Sequence, residues 1–440
     1  MRTRILLVLT TALAGAAFAQ RADYEGPTIL SRGIGPVLGG GGDLLRIRPY
    51  LSVTGVYDTG LTPVSVNSQG QIPKEDGYGG ELGFGALGYH SWRDTVLGLD
   101  YRGDVRHYSQ QSYYDGSDHT LSLGVTHQLS RRVVLSLREA AGTYSRSFGP
   151  MGGLGYFDPS FADIPQNELF DGRTHYLTTM GDLTLQKGPR LSFNMGGSGM
   201  VVRRRSRSLI GVTGWTARGD TAYRVARNQV IGVDYGFHHF DYTSAFGASD
   251  IHTLGLNWTA RIGRNWSLGL RAGASRVETL GLRRVTLDPI IAAILGQSSG
   301  IETFYRVNYV PSANARLTRT FRRSSVSFEY DRGTGSGNGI YLTSQQESFG
   351  LNASYTASRR WNVGASAGYD NFRSLGQTLG KYESYHGGGG VTFQMTSVLH
   401  FVARFDGRHY DIESTDFKRT HYRASLGIAL SPGDMPLSLW

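Results

Sequence analysis

From about residue 45 onward, apolar and polar residues alternate with a period of two along almost the whole chain. In Trp266-Ser-Leu-Gly-Leu-Arg-Ala-Gly-Ala274 the even positions are apolar, and Ser267, Gly269, Arg271 and Gly273 occupy the other face. Trp361-Asn-Val-Gly-Ala-Ser-Ala-Gly-Tyr369 and Phe349-Gly-Leu-Asn-Ala-Ser-Tyr-Thr-Ala357 repeat the pattern, as do residues 97–105, 121–129, 254–260 and 422–430. A period of two belongs to a strand with one apolar and one polar face.

Short turns, many rich in arginine, separate pairs of these strands. They fall near Arg93, Arg131-Arg132, Lys187 to Arg190, Arg227-Asn228, Arg264-Asn265, Arg322-Arg323, Arg359-Arg360 and Thr396-Ser397, at a near-constant spacing. Two wider intervals hold extra loop at residues 148–173 and 280–301. A fixed period marks a repeated unit, here strand, loop, strand and turn. Eight turns join sixteen strands and one more strand at each end makes about eighteen, with sixteen the nearest competing count.

Two sheets in a sandwich would alternate in the same way, but three features oppose that fold. The strands have the ten or so residues that cross a bilayer at a tilt. Short turns alternate strictly with longer loops, as when the two ends face different compartments. The polar face carries Arg, Asp and Asn in mid-strand, which a dry core would not tolerate without partners. The pattern therefore predicts an all-β protein: a transmembrane antiparallel up-and-down β-barrel over residues 45–440, closed so that no edge is left unpaired in lipid. Trp92, Trp266 and Trp361 beside short turns, and Tyr57, Tyr144, Tyr242, Tyr330, Tyr369 and Tyr410 toward the loop ends, read as aromatic belts at two interfaces. With short turns periplasmic and loops outside, both termini are periplasmic.

The first residues fit that destination. Met1-Arg-Thr-Arg4 is basic, residues 5–16 are mostly apolar, and Ala17-Phe-Ala19 supplies a small-x-small cleavage pattern. Residues 1–19 read as a signal peptide and residues 20–44, with four successive glycines at 39–42, as a periplasmic segment. Cysteine is absent, which excludes disulfide scaffolds and thiolate metal sites and suits an exported chain. Beyond the N-terminus no stretch approaches the roughly 20 apolar residues of a membrane helix. Glycine, at 61 residues, is in excess, and glycines on the inner face of a curved wall leave room for neighbours.

Catalytic motifs occur without their structural context. Gly364-Ala-Ser-Ala-Gly368 matches the nucleophile elbow, yet Ser366 sits in unbroken strand alternation rather than on a strand-to-helix turn. Gly83-Phe-Gly-Ala-Leu-Gly88 matches a dinucleotide fingerprint, but no helix follows it. His238 and His239 point to opposite faces, and the twelve histidines show no metal-ligand spacing. Neither catalytic residues, metal nor cofactor are expected.

The formal charge of +10 suggests an acidic partner such as nucleic acid, but the arginines form no compact patch. One group occupies the short turns. Arg203, Arg204, Arg205 and Arg207 stand at an outer rim, where guanidinium groups suit lipopolysaccharide phosphates as well as a solvated loop. A third group projects onto the polar face: Arg102, Arg106, Arg138, Arg261, Arg271, Arg306, Arg316, Arg404 and Arg408, sharing that face with Asp100, Asp104 and Asp406. Alternating signs along single strands can pair across strands and stiffen the wall, and the residual excess is basic. An eighteen-strand barrel has a radius of roughly 18 Å, too wide for side chains to fill. The third outer loop, residues 148–173, carries Asp158, Asp163, Glu168 and Asp171 and is the expected constriction; residues 288–295 form an expected apolar loop helix. The barrel is expected to have almost no apolar core of its own.

The Gly/Ser/Arg strands and the Ser130-Arg-Arg132 and Ser358-Arg-Arg360 turns resemble the β-barrel porin-2 family, over roughly residues 45–440. The resemblance implies a bacterial outer-membrane porin, and in that family a link to exopolysaccharide export. The expected role is passive passage of small hydrophilic solutes with a weak anion preference. The alternatives are a conduit for an exported polysaccharide with periplasmic partners, and a surface adhesin or structural barrel. The inward aromatics legible in the sequence, Tyr50, Tyr144 and Phe240, are too few to decide. Expected partners are outer-membrane lipids, lipopolysaccharide and small solutes.

Overall fold

The computed structural model describes residues 46–61, 67–68, 73–109, 115–144, 173–206, 209–243, 245–286, 298–337, 339–340, 342–358, 360–375, 381–413 and 417–431. Eighteen strands follow in chain order. They are β1 (Arg46–Leu61), β2 (Glu75–Ser91), β3 (Thr95–Tyr108), β4 (Gly116–Ser130), β5 (Val133–Tyr144), β6 (Thr174–Gln186), β7 (Leu191–Arg204), β8 (Gly211–Ala226) and β9 (Gln229–Thr243). The second half comprises β10 (Gly247–Ile262), β11 (Trp266–Thr286), β12 (Ser299–Thr320), β13 (Ser324–Gly335), β14 (Ser344–Thr356), β15 (Trp361–Ser374), β16 (Tyr382–Gln394), β17 (Leu399–Ile412) and β18 (Phe417–Leu430).

Each strand pairs antiparallel with its neighbours in sequence, and β1 pairs with β18 from Leu51↔Leu430 to Thr59↔Tyr422. The sheet is thus a closed up-and-down barrel, with eighteen strands rather than sixteen. Closure satisfies every strand edge, which an open sheet of this size would leave exposed. Strands run from 12 residues in β5 to 22 in β12.

The period-two pattern decides which face turns outward. Leu51, Val53, Leu82, Val105, Leu121, Leu254 and Leu256 are among the exposed apolar side chains, while Ser52, Thr54, Asp100, Arg102, Thr120 and Ser122 on the opposite face are buried. All eight short turns lie where the sequence predicts them, seven at arginines and the eighth at Thr396-Ser397. In two of them a serine hydroxyl accepts a backbone N–H two residues on, Arg132 to Ser130 at 3.2 Å and Arg360 to Ser358 at 3.1 Å. A serine-capped tight turn of this kind explains the repeated Ser-Arg-Arg.

The opposite end is less regular than expected. β9 and β10 are separated only by residues 244–246, and β17 and β18 by residues 413–416, so short turns do not alternate strictly with long loops. Both ends of the barrel chain, Arg46 and Leu430, lie at the short-turn end. Residues 1–45, 148–172 and 288–295 fall outside the described residues, and with them the segments expected to be a signal peptide, an acidic constriction loop and an apolar helix.

Candidate functional site

The inner wall is built by the register. On β3, Asp100, Arg102, Asp104 and Arg106 follow one another at a spacing of two and share the inner face. Arg102 grips Asp100 on its own strand through two bonds, Nε to Oδ1 at 3.0 Å and Nη2 to Oδ2 at 2.9 Å. On β17, Arg404 and Asp406 form the same fork, at 2.5 and 2.8 Å. The predicted ladders therefore close partly along single strands.

Other pairs cross strands. Arg106 bonds Asp118 of β4 and lies 3.7 Å from Asp104. Arg423 of β18 reaches past β1 to Glu81 of β2 at 2.6 Å. Asp58 accepts from the Tyr108 hydroxyl and stands 3.3 Å from His421 Nε2. This arc, from β17 through β4, is buried; Asp58 is 0% and Arg106 3% exposed. Buried charges persist when paired and hydrogen-bonded, and here Asp58, Glu81, Asp100, Asp118 and Asp406 each face a guanidinium, a phenol or an imidazole, whereas Asp104 Oδ2 faces Arg106 without a hydrogen bond.

Across the barrel the pairs are more open. Arg218 of β8 bonds Asp182 of β6 at 2.7 Å, Arg271 of β11 bonds Asp234 of β9 at 2.6 Å, and Arg316 of β12 bonds Glu329 of β13 at 2.8 Å. The first two reach over an intervening strand, and in both a glycine lies beneath the bond. A Cβ on Gly196 would sit 2.2 Å from Asp182 Oδ1, and one on Gly255 would sit 2.8 Å from Asp234 Oδ1.

Above this charged belt, toward the loop end, the inner face turns apolar. Ala140, Tyr176, Met200, Val202, Val212, Phe240, Tyr242, Ile251, Val277 and Val310 form one buried cluster contributed by β5 to β12. The expectation of a barrel almost without its own core is corrected here. Tyr242 and Tyr410, assigned by sequence to an interface belt, turn inward and are buried at 7% and 4% exposure. Tyr57 remains outward, and Tyr330, Phe349, Tyr369 and Tyr385 form a continuous outer ladder of rings 4.7 to 6.2 Å apart. At the short-turn end Trp361 packs on Phe393 at 4.4 Å, and the Arg319 guanidinium lies 4.8 Å from the Trp266 ring centroid.

The connection between β13 and β14 holds that cluster in place. Gly337 and Gly339 have φ of 79° and 93°, which turn the chain back on itself at little steric cost. Ile210 N donates to Gly339 O at 2.9 Å and Leu375 N to Thr343 O at 3.0 Å. Tyr242 Oη bonds Thr343 Oγ1 at 2.8 Å, and Ser249 bonds the same hydroxyl. Ile340 packs against Tyr382 and Tyr410 on β16 and β17. One connection thus touches β9, β10, β16 and β17, which lie well apart around the barrel. Sequence reading missed it, although the run Gly333-Thr-Gly-Ser-Gly-Asn-Gly339 was the available signal.

The sequence-predicted residues distribute as follows. Arg102, Arg106, Arg138, Arg404, Arg408, Asp100 and Asp406 are inward and buried, and Asp104 stands inward beside them. Arg271 and Arg316 are inward and half-buried, whereas Arg261 and Arg306 are exposed and make no ion pair among the described residues. Asp158, Asp163, Glu168, Asp171 and Arg207 lie outside the described residues. Arg203 and Arg205 are exposed, but Arg204 points inward and donates to Ile210 O and Thr174 Oγ1, both at 3.2 Å. No cluster of metal-ligating side chains occurs among the described residues.

No family model matches this chain, and no curated protein matches it. The texture that resembles the β-barrel porin-2 family is therefore not accompanied by a family match. Among solved structures the chain is similar to OccK5 (OpdH) of Pseudomonas aeruginosa, at 13% identity over 89% of this chain and 99% of that one, with a TM-score of 0.42. It is similar to a BenF-like porin from Pseudomonas fluorescens Pf-5, at 10% identity over 89% and 100%, with a TM-score of 0.43. OccK2 (OpdF) of Pseudomonas aeruginosa, solved in complex with glucuronate, is 12% identical over 89% and 100%, with a TM-score of 0.42.

Proposed function

We propose that this chain is an outer-membrane channel of porin type that passes small hydrophilic solutes. The observation that carries the reading is the closed barrel with an exposed apolar exterior and a charged interior. An apolar outer band suits lipid, and an interior with half-exposed Arg218, Arg271 and Arg316 suits water. On this reading residues 1–19 direct export, the short-turn end and both termini face the periplasm, and the loop end faces outward. Exposed Arg203 and Arg205 then stand where lipopolysaccharide phosphates lie.

The inner charges support only a weak preference for anions. Arg102, Arg106, Arg218, Arg271, Arg316, Arg404 and Arg423 are matched by carboxylates, whereas Arg261 and Arg306 are exposed and make no ion pair among the described residues. The β13–β14 connection takes the role of constriction. The buried inward aromatics pack against one another and against this connection, so they offer no open ring faces to a sugar chain. That favours a diffusion channel over a polysaccharide conduit.

Reconstitution into planar bilayers tests the proposal. Stable open steps are expected, with a reversal potential displaced modestly toward the anion value under a salt gradient. A barrel that seals the membrane overturns the channel reading, and cation selectivity overturns the charge argument.

A further inference from the structure

The wall steps down at the β9–β10 hairpin, beside the two longest strands, β11 and β12. Gly247, the first residue of β10, pairs with Gly281, whereas β11 continues beyond that level to Thr286 and pairs there with Ser299 of β12. In this notch lies a cavity of about 350 Å³. Its inner side is formed by Tyr242, Thr279, Phe304 and Leu342 of the inward connection. Its other side is formed by Phe246, Leu280 and Leu282, which are exposed at 52%, 38% and 45%. Residues of both faces of the wall thus line one cavity beside the turn of the low hairpin.

Its chemistry differs from that of the rest of the interior. Among the described residues no charged side chain lines it, although arginine and aspartate dominate the inner wall below. Its polar groups are hydroxyls. Those of Tyr242 and Thr343 are bonded to each other, whereas Thr279, 5% exposed, has a hydroxyl with no partner. A buried hydroxyl is normally hydrogen-bonded, and an exception asks for a reason. Pockets for small molecules are typically a few hundred Å³, mostly apolar, with a few polar groups that fix orientation.

We propose that this notch binds an uncharged, mainly apolar small molecule bearing one hydroxyl or carbonyl, which enters from the lipid-facing side and places its polar group at Thr279. The entry route rests on the membrane embedding proposed above; the site itself does not require the barrel to conduct.

Photolabelling of the full-length protein in lipid nanodiscs with 3-azioctanol, mapped by mass spectrometry, tests this. Labels are expected on Tyr242, Phe304 or Leu342 as well as on Phe246, Leu280 or Leu282. Excess 1-octanol should suppress them, and octane-1-sulfonate should not. Leu342→Trp, which fills the cavity, should abolish the inner labels, and Thr279→Val should weaken competition by 1-octanol but not by octane. Labels confined to the outward residues, labels unaffected by Leu342→Trp in a heat-modifiable barrel, or equal competition by the sulfonate would each overturn the site. Labelling is read on folded protein whether or not the barrel conducts, so failure of the site and failure of the channel are separable.

Discussion

Arg218 and Asp182 are bonded at 2.7 Å although the whole of β7 lies between their strands. The register makes this reach possible: Gly196 faces both of them, paired with Asp182 on one side and with Arg218 on the other. Without a Cβ at that position, the guanidinium and the carboxylate meet over bare backbone. Gly255 also stands beneath the Arg271–Asp234 bond, paired with Asp234 on one side and with Gly273, two residues from Arg271, on the other. Part of the glycine excess is thus explained by ion pairs that span three strands.

A side chain at residue 196 should therefore separate the pair. In a double-mutant cycle of Asp182→Ala and Arg218→Ala, the wild-type background is expected to show about 0.5–1 kcal/mol of coupling, because the arginine is partly exposed. In a Gly196→Val background the coupling should vanish. Urea titration in lipid vesicles measures it, and persistent coupling would show that the bond does not depend on the glycine.

The buried fork on β3 should behave differently. Arg102→Met leaves Asp100 buried without its guanidinium and is expected to cost about 3–5 kcal/mol. The double variant with Asp100→Leu should recover most of that loss, since a buried pair can be replaced by apolar groups at little net cost. If the single variant unfolds at the wild-type urea midpoint, the fork contributes nothing to stability.

Releasing the inward connection should widen the channel. Thr343→Val removes the hydroxyl that Tyr242 and Ser249 share. The expected result is a higher and noisier single-channel conductance with unchanged heat-modifiability. Identical conductance would mean that residues 336–343 do not constrict the pore.

Outside the membrane, the β3–β4 connection carries a pH-dependent contact. Asp115 is partly exposed; what desolvation it suffers would raise its pKa, but bonds from Tyr108 N and His107 Nδ1, both 2.7 Å, outweigh that and hold it below the usual carboxylate value. A depressed folded pKa stabilises fully above the unfolded value near 4 and is lost as pH falls through the folded value. Protection of the Tyr108 amide from hydrogen exchange should therefore be constant above about pH 5 and decline in acid. Asp115→Asn should remove that decline; the same profile in the variant would assign it elsewhere.

Arg306→Gln and Arg261→Gln, each removing an exposed inward cation, should move the reversal potential toward neutrality without altering stability. Unchanged selectivity would place the anion preference, if present, in other residues.

The sequence by itself determined the strand pattern, the eight turns and which face turns outward. All of these follow from a period of two and local turn chemistry, which neighbouring residues encode. It also placed Arg102, Arg404 and Asp406 on the inner face, because parity along a strand is a local property. Only the tertiary structure decided which charges meet, since Arg218 and Asp182 are brought together by register across β7. Closure likewise decided that Tyr242 and Tyr410, inward by the same parity as Phe240 and Arg408, meet one connection, and that the wall dips at β9–β10. Those facts depend on how far each strand extends relative to others distant in sequence, and no local pattern records that stagger.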